Sequence, residues 1–271
     1  MPAAETALAR ALALNPHSLS ALAAHLDLAL HKLDWTTASA DARRMQAINA
    51  NGATVLHEMF RYYQLMGFPE LALAATQEAT KLDPLSFVDH LNVGAALSHI
   101  GRFAEAVSAA KNALALVPDQ PFVLGMLCTA LAHTGRPAEA RAIGAKLTAA
   151  RAQSDALGCD FDVAVGEGRL SDARLLMDKA AGGYPGSGYS AVDLGDGYAT
   201  AGDSEDALKW LTRALELKKF TLFTIPYDKS IPPSFFKTPG WKSLSAAPLF
   251  VEWRQAHDRL ATELAAGKQP P

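Results

Sequence analysis

The chain has 271 residues, 49% of them hydrophobic, and 25 basic against 28 acidic residues for a formal net charge of -3. That balance provides no general basic field for nucleic acid or anionic lipid, and the apolar share is enough to bury a large core. The only cysteines, Cys128 and Cys159, sit alone in helical patterns without a CxxC or HExxH motif; they read as small buried apolar residues, not as a disulfide pair or metal ligands.

In chain order, Ala3–Leu14 reads as the second helix of a repeat whose first helix is missing, with Pro16 as its stop. A natural capping helix explains this, as does a piece of a longer protein, and the second is the expectation. Residues 18–50 follow as a degenerate pair, with Leu22, Leu26 and Ala29 along the first helix and Leu33 where other pairs carry a turn glycine. The pair over 53–84 is aromatic, with Phe60, Tyr62 and Tyr63 on one helix, of which one is expected to face outward into the groove as an anchor for a partner, with packing between repeats as the alternative. Phe87–Pro118 is the clearest pair: one helix to His99, a stop at Gly101, a second helix from about Phe103 to Leu116. Pro121–Arg151 repeats it. The pair over 154–181 is polar and glycine-rich (Gly158, Gly166, Gly168), so it reads as the weakest helix and a point of flexibility. A loop at 182–188 precedes the last pair, Tyr189–Leu217. Lys218–Trp241 holds four prolines among aromatics and is expected to run extended over the apolar face of that pair; Pro248–Ala265 is a final helix ended by Gly267, and 268–271 is a tail.

The period is explicit. Gly67, Gly101, Gly135, Gly168 and Gly202 recur every 33 or 34 positions, and five residues after each stands Ala72, Ala106, Ala140, Ala173 or Ala207. Small residues there let two helices approach closely, and two helices per unit at such a period mean a solenoid. The units are a half repeat over 1–16, then repeats starting near 19, 53, 87, 121, 154 and 188 within a 1–219 solenoid, then a cap and terminal helix over 220–267.

These residues resemble the tetratricopeptide repeat family, through Leu194-Gly195-x2-Tyr198 followed by Gly202, Ala207 and Ala214. The resemblance implies an all-α, right-handed solenoid of antiparallel helix pairs, a non-enzymatic role as adaptor or scaffold, and a protein or peptide as partner. It also implies that first helices line the concave face. By offset this places His57, Glu58, Arg61, Tyr62, Asn92, Ala95, Met126, Thr129, Cys159, Asp162, Asp193 and Asp196 in a partner-binding groove. Asn92 suits a ligand backbone, because it both donates and accepts. The lysines of a carboxylate-tail clamp are absent, since Glu58, Ala95, Thr129 and Asp162 hold the matching positions. Asp162, Asp193 and Asp196 make the later groove acidic. The ending from ALKWLTRALELKK to FVEWRQAHDRL is similar to repeat regions in some bacterial signalling and transcription regulators.

No catalytic residue, cofactor or metal site is expected: no serine sits in a nucleophile elbow, and no phosphate-cradling loop occurs. The N-terminal MPAAETALARALALNP lacks the basic start and apolar block of a signal peptide, and Phe122 to Ala132, the longest apolar run, is too short to cross a bilayer. The expectation is a cytoplasmic protein that binds neither nucleic acid nor membrane. Three readings stay open: a groove-binding module, the regulatory C-terminal region of a larger protein, and a self-assembling scaffold pairing through its open N-terminal repeat.

Overall fold

The structure, a computed structural model, describes residues 2–266; the expected stop at Gly267 and the tail lie outside the described residues. Five helices come first: α1 Pro2–Leu14, α2 Leu19–Lys32, α3 Trp35–Asn49, α4 Ala53–Leu65 and α5 Pro69–Leu82. Eight follow in the same alternation: α6 Phe87–His99, α7 Phe103–Leu116, α8 Pro121–His133, α9 Pro137–Ala149, α10 Gln153–Gly166, α11 Leu170–Gly182, α12 Ala191–Thr200 and α13 Ser204–Glu216. A short α14 spans Pro239–Leu244 and α15 spans Pro248–Ala265. Two compact units result, one made of residues up to Pro84 with those from Ser245 onward, the other of Leu85–Leu244.

Local chemistry explains the helix ends. Side chains of Ser18, Asp34, Ser86, Gln120, Ser190 and Asp203 accept a backbone N–H at helix starts, and prolines open α5, α8, α9 and α15. Between the two helices of a pair the backbone turns left-handed, at φ 78 for Gly67, 77 for Gly101, 71 for Gly135, 73 for Gly168 and 85 for Gly202. Leu33 takes the same conformation at φ 61. The recurring small residues do what their spacing predicts: Ala106, Ala140, Ala173 and Ala207 are all 0% exposed, sealed between paired helices.

In the first unit, three rings of α4 point inward. Phe60, Tyr62 and Tyr63 are all buried, so the expectation that one of them faces outward is wrong. Tyr62 donates its hydroxyl hydrogen to Ser39 Oγ at 2.9 Å, and Gln46 Nε2 donates to the Tyr63 hydroxyl at 3.2 Å. Tyrosine can be buried whole when its hydroxyl finds a partner, and both rings do. The same unit includes α15, which packs on α3; Trp253 Nε1 donates to Leu65 O at 2.8 Å, His257 Nδ1 donates to Met66 O at 2.7 Å, and the His257 ring stacks on Phe68.

The second unit stacks α6 to α13 as four helix pairs. Here the weak pair of the sequence reading forms two full helices, and Cys128 of α8 is joined to Cys159 of α10 by a disulfide with Cα atoms 5.5 Å apart. The cysteines are buried as expected, but they are bonded to each other. The segment after α13 is not extended. It folds into 3-10 turns at Phe220–Tyr227 and Phe235–Lys237 and then α14. Tight turns tolerate the missing amide hydrogen of Pro226 while bringing Leu222, Phe223, Ile225, Phe235 and Trp241 out of water, close to α12 and α13.

Candidate partner-binding groove

The first helices of the second unit share a groove of ≈ 630 Å³. Helix α6 contributes Ala95 and Ser98; α8 contributes Phe122, Gly125, Met126 and Thr129; α10 contributes Ser154, Asp155, Gly158, Cys159 and Asp162; Tyr189 and Asp193 close it from the start of the last pair. Each set recurs at three- and four-residue steps, which is one helix face. The helices come together there because their contact residues are small. A Cβ on Gly94 would lie 2.6 Å from Met126 Cε, and one on Gly144 would lie 3.1 Å from Cys159 Sγ.

Of the residues placed in a groove by sequence, the structure gathers Ala95, Met126, Thr129, Cys159, Asp162 and Asp193 in this one. Asp196 is not on its wall; one turn beyond Asp193, it accepts from Thr200 Oγ1 at 3.4 Å. Asn92 is half-buried on α6, and its Nδ2 is buried without a hydrogen-bond partner. The four first-unit residues do not line the groove. Tyr62 is sealed inside its pair, a correction to its expected role as an anchor. Arg61 is held by Asp27 of α2 and by Glu58, so its charge is spent within the unit, and His57 is half-buried beside them. Burial pushes the Glu58 carboxyl up, against the pull of Arg61.

Sequence reading missed Ser98, Phe122, Gly125, Ser154, Asp155, Gly158, Gly188 and Tyr189. Ser98, Phe122, Gly125, Asp155 and Gly158 continue the same stripes by one more turn, so for them the helical period carried the signal. Phe122 matters most: it is 58% exposed on a face where a partner could cover it.

The groove is electrostatically one-sided. Burial pushes the Asp162 carboxyl up to about 7, although the Thr129 hydroxyl donates to it, and the carboxylate of Asp228 pushes the same way. His133 Nε2 lies 3.9 Å from Asp162, yet burial lowers the affinity of that imidazole for a proton. Asp196 is held well above the usual carboxylate range by burial first, then by Asp228 and Asp193. The Tyr189 hydroxyl donates to Ser154 O at 3.0 Å; burial raises its proton affinity, and Asp162, Asp193, Asp155 and Asp160 raise it further. Asp228 belongs to the segment after the 3-10 turn, anchored where Ser230 Oγ meets Thr200 Oγ1 at 3.4 Å and where His99 Nδ1 lies 3.7 Å from Asp228. Among the described residues no three His, Cys, Asp or Glu side chains are placed to hold a metal ion.

Residues 101–158 match the family model described as tetratricopeptide repeat, a stretch that includes α7, α8 and α9 and the start of α10. This stretch is a tetratricopeptide repeat, and proteins built from such repeats typically act as protein–protein interaction modules without catalysis. Among solved structures, one reported as "Functional Characterization of Pseudomonas Aeruginosa pilF" is similar at 20% identity and a TM-score of 0.49, covering 77% of this chain and 96% of that one. No curated protein matches the sequence. Among the described residues no helix is long and apolar enough to cross a membrane.

Proposed function

We propose that the chain is a non-enzymatic interaction module whose second unit binds a segment of another protein in the groove between α6, α8, α10 and α12. The observation that carries this is the groove itself: first helices of four consecutive pairs meet there around an exposed phenylalanine, in a class of repeat that binds proteins. Side chains such as Phe122 and Met126 offer apolar contact.

The test is to block the groove without disturbing its helices. A Cβ on Gly125 would meet Asp155 Oδ1 at 3.5 Å, an ordinary contact, so Gly125→Phe fits its backbone and projects a ring into the space a ligand would use. Proteins captured from the source lysate by the parent chain are purified, and each is titrated against parent and variant. A direct ligand of the groove loses about tenfold or more in affinity to Gly125→Phe, with unchanged helical circular dichroism. Equal binding by both proteins would refute the placement.

Self-association has one supporting observation, on α1. Leu14 is 80% exposed beside a shallow depression lined by Thr6, Ala7, Arg10 and Ala11. A mass by light scattering that grows with concentration, and falls to the monomer in Leu14→Ser, would support it; a constant monomer mass would remove it.

A further inference from the structure

The geometry points to a cationic occupant: the second-unit groove takes a protein segment carrying a lysine or arginine next to an aliphatic or aromatic residue. This rests on the groove reading above and adds the chemistry of what fills it. The lining holds three carboxylates, Asp155, Asp162 and Asp193, and neither lysine nor arginine. Asp160 stands on α10 near them, and all four bear on the Tyr189 phenol, which shows how closely their fields converge. Among the described residues Asp155 and Asp193 form no ion pair; Asp193 does accept the Ser190 backbone N–H at 2.7 Å as a helix cap. A neutral or acidic segment would strip water from these carboxylates with no countercharge, whereas a cation neutralises them as it enters.

The apolar half of the groove sets the second requirement. Phe122 and Met126 lie one helical turn apart on α8, a ready seat for a hydrophobic side chain adjacent to the cation. A free inorganic cation would leave that apolar seat unused.

The experiment uses two labelled hexapeptides, Leu-Lys-Leu-Lys-Leu-Lys and Leu-Gln-Leu-Gln-Leu-Gln, titrated into the full chain by fluorescence anisotropy. Binding is mapped by amide chemical shifts. The lysine peptide should bind at least about tenfold more tightly than the glutamine peptide and shift residues of α8, α10 and α12 that line the groove. Asp155→Asn with Asp193→Asn should abolish that preference. Asp119→Asn with Glu252→Gln removes the same two charges at exposed positions elsewhere and should leave it within about twofold. Equal loss in both double variants would overturn the proposal, because general attraction to the acidic surface would then explain the binding. If both peptides bind alike in the groove, the cationic partner falls and the groove reading stands. If neither shifts groove residues, both fall.

Discussion

Leu33 and five glycines hold one backbone conformation, and only the glycines hold it without steric cost. A left-handed leucine costs about 1–2 kcal/mol, but burying its side chain, 5% exposed, returns about 1.5–3 kcal/mol. Packing therefore overrides the turn preference, which is why the repeat remains intact where its glycine is lost. The same reasoning separates two glycine substitutions. A Cβ on Gly135 meets nothing within 4 Å, so Gly135→Ala pays only for its φ of 71, about 1 kcal/mol. A Cβ on Gly195 would lie 2.6 Å from the fully buried Leu211 side chain, so Gly195→Ala should cost about 2 kcal/mol or more by overpacking. Urea unfolding of the two variants checks the order. Asp162 makes a pH prediction. Its carboxyl is raised from 3.8 to about 7 by burial, with the Thr129 hydroxyl and His133 facing it from α8 and Asp228 from the segment after α13. A raised carboxyl binds more protons folded than unfolded, so its stabilising contribution is full below pH 3.8 and is lost as pH rises towards and through about 7. Asp162→Asn should flatten the fall in melting temperature between pH 5 and pH 8, read by thermal scans across that range; an unchanged slope would contradict it. At this scale Asp162 was legible as a groove acid from its repeat offset. Tyr62 was not, because only three dimensions show that Ser39 satisfies its hydroxyl and lets the ring go inside.

Helix ends were legible where glycine or proline marks them: the expected stops at His99, Leu116 and Leu14 are those observed. The groove stripe was legible in part. Offsets found Met126, Thr129, Asp162 and Asp193, and reading one turn further along α8 and α10 would have added Phe122, Gly125, Asp155 and Gly158. Tyr189 sits in a loop, where no period applies. The disulfide was missed because the cysteines were read one helix at a time. In the repeat frame they lie 31 positions apart, about one turn short of a full repeat, which puts them on facing stretches of stacked first helices. Closing a loop of that length should stabilise the fold by about 3–4 kcal/mol. Cys128→Ala with Cys159→Ala is therefore expected to unfold at distinctly lower urea concentration than the oxidised parent, and reductant should lower the parent but not the variant. Disulfides persist in oxidising compartments, so the bond weighs against the cytoplasmic expectation. Alkylation of thiols before lysis reads this directly. An unlabelled pair is the expected result, and a doubly labelled chain would restore the cytoplasmic reading.

At the scale of the whole chain, the terminal region expected as one cap serves two units. Residues 220–244 bury their aromatics with α12 and α13, whereas α15 joins the first unit through Trp253 and His257. Sequence could read the amphipathic stripe of α15 but not which distant helix it covers, since tryptophan burial follows contacts nearly two hundred residues away along the chain. The groove, by contrast, lies wholly inside the second unit, so its binding chemistry is a property of residues 85–244. The most direct measurement is amide hydrogen exchange on the full chain, free and saturated with a partner captured from the source lysate. Binding in the groove predicts slowed exchange at the groove-lining stretches 122–129, 154–162 and 189–193, with α7, α9, α11 and α13 unchanged. Protection confined to those second helices, or to the first unit, would contradict it.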